Sequence, residues 1–376
     1  GAGALMASNP DSLVPEPLAQ LPWRLILLVL TIFGFGFAVL YSAAGGDIQP
    51  WAMNHAIRFM LFFAMAIILS RFREEHWKFF AFPVYFATLL ALLGVEILGQ
   101  VSGGSQRWLD LGFMRIQPSE IMKPVLILAL AKFYDTLPSG ELRRPVAIWP
   151  ALLLIGMPAA LVVIQPDLGT TLVLVAAGII VMFLAGLPLR LFIGGAVAVA
   201  AAIPLAYQFI LQPYQQNRVL TFLNPENDPL GTGYHITQSK IAIGSGGLFG
   251  KGFLNGTQSH LAYLPEGHTD FVFATMAEEF GLLGGLLLIL GFALLIRWGI
   301  RVGRRAESTF AKLTAAGLST TIFFYFAINL MMVMGLAPVV GIPLPLVSYG
   351  GSAMLTVLIC VGILMSIDRE NRMRRR

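Results

Sequence analysis

Residues 148–187 read IWPALLLIGMPAALVVIQPDLGTTLVLVAAGIIVMFLAGL, a stretch whose one ionisable side chain, Asp167, stands at its centre. On each side of the Gln165-Pro166-Asp167 break runs an apolar segment close to the ~20 residues that a helix needs to cross the hydrocarbon core of a bilayer. The pair reads as a helix entering a membrane, a short polar turn, and a helix leaving it. Working outward, the same signal recurs at 25–43, 52–70, 78–98, 118–134, 148–164, 168–187, 191–211, 271–296, 313–335 and 353–367. The last of these is short and borrows residues from the Gly/Pro-rich run before it. The expected fold is therefore all-α, a polytopic membrane protein of about ten helices.

Composition agrees. Of 376 residues, 57% are hydrophobic and 12% charged, where a soluble globular chain carries about 25% charged residues. A soluble fold and a disordered chain are both excluded. The net charge of +5 fits basic loops at one membrane face better than nucleic-acid binding. Cys360 is the sole cysteine, so no disulfide forms within the chain.

Orientation follows from Lys and Arg, which concentrate in cytoplasmic loops. With the N-terminus inside, 18 of the 25 Lys and Arg residues lie on the inner side, and both termini are expected in the cytoplasm. The other seven are Arg58, Arg107, Arg115, Lys123, Arg218, Lys240 and Lys251, and the inside bias does not explain them. The expected organisation is a tail at 1–22, a transmembrane domain at 23–368 with a long outer connection at 212–270, and a basic tail at 369–376. Gly1 to Leu5 precede Met6 and read as a cloning remnant, and the first span reads as retained. A second outer connection covers 99–117. Within 212–270, His235 to Ile243 predict a short amphipathic helix at the membrane surface, stopped by Gly244, Gly246 and Gly247.

Some tempting motifs fail. Residues 244–252 resemble a phosphate loop, but Ser245 stands where the pattern needs Gly and Gly252 where it needs Ser or Thr. His235, His260 and His268 share a loop without a metal-ligand spacing. The useful signals are ionisable groups at membrane depth, which are costly and mark function. Glu120 and Lys123, three apart after Pro118, share one helix face; they form either a structural ion pair or part of a site. Asp167 suits an N-cap and is also a candidate substrate-binding residue. Asp270 ends the long outer connection, with Glu266 and His268 beside it. Residues 336–352 are apolar yet broken by Pro338, Pro343, Pro345, Gly341, Gly350 and Gly351. Irregular backbone at membrane depth must be buried in protein or line a cavity.

The runs Gln106-Arg107-Trp108-Leu109-Asp110, Gln117-Pro118-Ser119-Glu120, Gln165-Pro166-Asp167-Leu168-Gly169-Thr170, Asp228-Pro229-Leu230-Gly231, Gln238 to Gly247, His268-Thr269-Asp270-Phe271 and Pro343 to Ser352 resemble the SEDS family (shape, elongation, division and sporulation proteins), nearest its cell-elongation branch. The resemblance spans roughly residues 23–368. It implies a bacterial inner-membrane peptidoglycan glycosyltransferase that polymerises lipid II at the outer face and releases undecaprenyl diphosphate. It also implies a class B penicillin-binding protein, a transpeptidase, as partner, alongside other elongation-complex proteins and membrane lipid. In the family the Asp of His-Thr-Asp-Phe is the essential acidic residue, Asp270 here, and the Glu and Lys after Gln-Pro-Ser map to Glu120 and Lys123. Asp270 is then the expected general base. Lys123, oriented by Glu120, joins Arg107, Arg218 and Lys240 at the pyrophosphate, and Asp167 and Ser348 complete the substrate-binding set. A divalent cation, Mg or Mn, is expected to share the phosphate charge, although no dedicated metal motif is visible. Two other readings remain open at this point: a lipid II flippase, and a non-catalytic scaffold for the transpeptidase.

Overall fold

The computed structural model describes residues 20–98, 100–102, 105–110, 115–209, 211–224, 231–257, 264 and 266–375. Ten helices occupy the ten positions marked by hydropathy: α1 Trp23–Ala43, α2 Trp51–Leu69, α3 Glu74–Leu98, α4 Pro118–Thr136, α5 Trp149–Ile164, α6 Leu168–Leu184, α7 Leu189–Phe209, α10 Val272–Arg305, α11 Thr309–Val333 and α12 Gly351–Arg374. Two further helices, α8 Pro213–Leu223 and α9 Thr232–Ser245, lie between α7 and α10. Among the described residues, eight helices are long and apolar enough to cross a bilayer by themselves. The other two of the ten are α6, with 17 residues, and α4, which carries Glu120 and Lys123 within its length. Both are held by the bundle. We call the face that bears the two long connections the outer face.

The helices begin where local chemistry satisfies their first amides. Pro118 opens α4 at a position whose N–H has no helical partner. The Asp167 side chain caps α6 by accepting from the Thr170 amide at 3.1 Å, and Ser308 does the same for α11 through Ala311 at 3.0 Å. α4 stands in the middle, against α3, α5, α6, α11 and α12, and is buried over most of its length. Lipid tails are as apolar as leucine, so close packing rather than water exclusion holds such a bundle. Small residues provide the closeness. A Cβ on Gly317 of α11 would stand 2.5 Å from Ile127 of α4, and one on Gly362 of α12 would stand 3.0 Å from the Ala66 backbone of α2. By contrast α7 buries no side chain.

The inner face is tied by polar contacts. Lys78 bridges Glu74 at 2.9 Å and Asp135 at 3.0 Å, and Arg374 reaches Glu74 at 3.5 Å. On the outer face the 99–117 connection is not plain loop. It folds into three short antiparallel strands, β1 Gln100–Ser102, β2 Ser105–Asp110 and β3 Arg115–Ile116, with Leu109 opposite Ile116.

The glycine-rich run at 244–252 has a backbone role. α10 breaks at Gly281, whose φ of 65° and ψ of −163° are non-helical. Residues 247–252 fill the break. The Lys251 and Gly252 amides donate to the Glu278 and Glu279 carbonyls at 2.9 and 3.0 Å, and the Leu282 and Leu283 amides donate to the Gly247 and Leu248 carbonyls at 2.9 and 3.1 Å. The two chains cross so closely that a Cβ on Gly250 would fall 1.9 Å from the Glu279 carbonyl oxygen. The Lys251 ammonium also meets the buried Glu278 carboxylate at 2.6 Å.

Candidate active site

Three elements converge below the outer face. The first turn of α4 brings Gln117 and Glu120, the start of α6 brings Asp167 and Thr170, and the turn into α10 brings Glu266, Thr269 and Asp270. With Tyr325 of α11 and Trp108 of β2 they line a cavity of about 510 Å³. Its remaining wall is Gly341 to Pro343 and Tyr349 to Ala353. This wall belongs to the Pro/Gly run that the sequence marks as non-helical, and from Pro338 to Leu344 the chain has no regular structure.

Several contacts hold that wall. His55 Nε2 of α2 lies 3.0 Å from the Leu346 carbonyl oxygen. Gly36 of α1 lets the Val347 backbone approach, since a Cβ there would stand 2.6 Å from the Val347 Cα. Asn329 of α11 donates to the carbonyls of Ile342 at 2.6 Å and Asp270 at 2.9 Å. It thereby ties the two sides of the cavity together through one buried amide. The Tyr349 amide donates to the His268 carbonyl at 2.8 Å, and the His268 ring stacks on Trp51 with centroids 4.1 Å apart. Burial lowers the His268 pKa, against a smaller upward pull from Glu266.

Glu120 reaches the cavity and Lys123 does not. The Lys123 side chain is 1% exposed, and its ammonium meets Glu120 Oε1 at 2.6 Å and the Tyr325 hydroxyl at 2.6 Å. Tyr325 in turn donates to Glu120 Oε2, and Thr356 of α12 adds a hydroxyl at 3.0 Å. Where the sequence reading expects Glu120 to orient Lys123 towards substrate, it is Glu120 that lines the cavity and Lys123 that lies behind it. Lys123 sits behind Glu120, and its ammonium is the counter-charge of a carboxylate at the cavity wall. The need for a counter-charge is physical, because an unpaired carboxylate at this depth costs several kcal/mol, on the order of 3–5.

The other expected residues divide. Asp167 lines the cavity, caps α6 and accepts from Gln117 Nε2 at 2.8 Å. The Ser348 hydroxyl accepts from the Leu344 amide at 2.8 Å, so it closes a buried turn behind the wall. Lys240 lies on α9 outside the cavity lining, its stem crossing Gly335, where a Cβ would stand 2.4 Å from Lys240 Cε. On the same helix Ile236 is buried and Ser239 donates to the Val333 carbonyl at 2.6 Å. The side chains of Arg107 and Arg218 lie outside the described residues. Among the described residues no three His, Cys, Asp or Glu side chains converge on a point that could hold a metal ion. Tyr325, Asn329 and Thr356 are absent from the sequence-predicted set. Tyr325 and Asn329 are the two polar residues of the apolar stretch 322–333, one helical turn apart, and Thr356 is the one in 353–359, which is the signal the sequence offers.

The family model described as cell cycle protein, covering FtsW, RodA and SpoVE, matches residues 22–373. The chain belongs to this family. It is 43% identical over 371 residues to the peptidoglycan glycosyltransferase MrdB of Escherichia coli K12, covering 98% of this chain and 99% of that one. It is 34% identical over 362 residues to the stage V sporulation protein E of Bacillus subtilis, covering 93% and 97%. Among solved structures, a chain of a peptidoglycan synthase complex that coordinates polymerization and crosslinking superposes with a TM-score of 0.82 at 32% identity, covering 93% of this chain and 98% of that one. The RodA rod shape determining protein of Thermus thermophilus superposes with a TM-score of 0.71 at 29% identity, covering 93% and 97%. The FtsW/RodA/SpoVE family is the SEDS family that the sequence motifs resemble, and the chain is a multi-pass membrane protein.

Proposed function

We propose that this protein is a peptidoglycan glycosyltransferase that polymerises lipid II at the outer face of the bacterial inner membrane. The observation that carries the reading is the cavity that gathers Asp270, Glu120 and Asp167 under the outer connections. Lipid II joins a long isoprenoid to a disaccharide-peptide through pyrophosphate. Its polymerisation needs a lipid-accessible site, a base for the acceptor hydroxyl and charge stabilisation for the leaving diphosphate.

Asp270 is the base. It takes the proton of the acceptor sugar's 4-hydroxyl as that oxygen bonds to C1 of the donor. The C1–oxygen bond to pyrophosphate breaks, and undecaprenyl diphosphate leaves with the bonding pair. Attack opposite the leaving group inverts C1. Base catalysis of this kind contributes about 10²–10⁴-fold. Glu120, held in place by Lys123 and Tyr325, fixes the polar wall at which the acceptor is oriented. Arg107 and Arg218, both in the outer connections, are assigned to the pyrophosphate, where fixed cations lower the cost of developing charge. A class B penicillin-binding protein is the assigned partner, which crosslinks the strands made here.

The test is polymerisation of purified lipid II by the purified chain, with and without the transpeptidase. Glycan strands in either condition support the reading. No glycan in both, together with lipid II transfer between leaflets in liposomes, replaces it with a flippase.

A further inference from the structure

The glycosyl transfer leaves a second cavity unused, on the inner face. It measures about 380 Å³ and lies between the start of α1, the end of α10 and the end of α12. Arg24, Arg301, Arg305 and Arg372 line it, against Asp368 as the one carboxylate in its wall. Asp368 pairs with Arg372 at 3.0 Å. Four guanidinium groups therefore share one carboxylate in that wall.

Two features of the sequence favour an anion here, although Arg305 and Arg372 stand in the last turns of α10 and α12, where a helix end favours a cation. Arg301 and Arg305 stand one turn apart on α10, where like charges repel by a few tenths of a kcal/mol, roughly 0.2–0.5. Arg24 stands in the first turn of α1, which has no acidic residue, at the helix end that disfavours a cation. Guanidinium forks match phosphate oxygens two at a time. The cavity is flanked by Trp23, 47% exposed, and by Trp298. Indoles settle at the boundary between hydrocarbon and headgroups, so the arginines stand at headgroup level. Basic pockets between membrane helices at this level suit acidic phospholipids.

We propose that this cavity binds the phosphodiester headgroup of an anionic glycerophospholipid. The bound headgroup joins three helix ends that are far apart in sequence, those of α1, α10 and α12. The inference goes beyond the glycosyltransferase reading and does not depend on it, because its readout is lipid binding rather than polymer formation.

The test uses the full chain purified in neutral detergent, with bound lipid counted by native mass spectrometry. The probes are phosphatidylglycerol, phosphatidylcholine and inorganic phosphate. The variants are Arg301→Gln/Arg305→Gln in the cavity and Arg143→Gln/Arg144→Gln in an exposed inner connection. The wild type is expected to retain one phosphatidylglycerol in preference to phosphatidylcholine. The cavity variant should bind it about 25-fold more weakly, near fivefold for each arginine, and the connection variant should match wild type. If the double variant fails to fold, Arg24→Gln alone should show the fivefold loss. Equal loss in both double variants, or no preference for phosphatidylglycerol in the wild type, overturns the site. Complete displacement of the lipid by millimolar inorganic phosphate overturns the lipid assignment in favour of a soluble anion.

Discussion

Replacing Lys123 by Met removes the ammonium while keeping most of its volume. In the structure that ammonium is 2.6 Å from Glu120 Oε1 and is almost fully enclosed. The variant leaves Glu120 as a buried carboxylate with only hydroxyl partners, Tyr325, Thr356 and, at 3.5 Å, Thr170. Breaking a buried pair from one side costs about 3–5 kcal/mol. With an unfolding entropy near 2.1 cal/mol/K per residue, a chain of 376 residues loses about 1.3 °C per kcal/mol, so Lys123→Met should melt about 4–6 °C lower. A membrane protein keeps its helices when denatured in detergent, which makes the entropy smaller and the shift larger. Glu120→Gln/Lys123→Met removes both charges and should recover most of the melting temperature. It should not recover polymerisation, because the cavity then lacks its Glu120 charge. The assays are thermal unfolding of the purified variants and glycan synthesis from lipid II. Wild-type melting of Lys123→Met would refute the buried-pair argument. A double variant that regains both stability and activity would reduce the pair to a structural strut.

Asp270→Asn should lower polymerisation by about 10²–10⁴-fold with a melting temperature near wild type; near wild-type turnover would remove the base assignment. Gly250→Ala places a methyl on the Glu279 carbonyl at a φ of 80°, and it should melt several degrees lower, whereas Gly244→Ala, with open space around it, should not. His268 has a lowered pKa in the fold, so the native state binds fewer protons than the unfolded one. Its contribution to stability is complete above about pH 6.5 and is lost as pH falls below that value towards the lowered pKa. His268→Gln should flatten the fall in melting temperature between pH 7 and pH 5, and an unchanged slope would refute the assignment.

The ten spans were legible because membrane depth demands long apolar runs, and most run ends fall within a few residues of expectation, whereas α10 and α12 continue nine and seven residues further as basic amphipathic turns that the apolar signal does not mark. The Pro/Gly run at 336–352 was legible for the same reason, since it cannot be regular helix and yet is apolar. The cavity contacts were less so. Asp270, Glu120 and Asp167 stand at helix starts, where sequence marks them. Tyr325 and Asn329 lie within α11, and only the packing of α11 against α4 and the wall gives them partners. The depth of Lys123 behind Glu120 depends on α11 and α12, so spacing along α4 alone could not separate a strut from a substrate contact. Residues 244–252 show the opposite case. The failed phosphate-loop pattern left their glycines without a role, and only the fold shows their backbone groups bonded to the break in α10.

That break bears on how the protein is made. A straight helix of 34 residues would be about 51 Å long at 1.5 Å per residue, well beyond a hydrocarbon core of about 30 Å. Residues 247–252 leave the ribosome about 30 residues ahead of Gly281, so in the orientation proposed above they wait on the far side until α10 follows. Only when the two segments meet do their amides and carbonyls find each other and let α10 bend. We expect the cavity to be completed late in biogenesis, with Asp270 reaching its place after α10 has been threaded. A Gly281→Leu chain should then insert with normal topology yet remain open to protease in the 212–270 connection, and full protection of that connection would contradict this order of assembly.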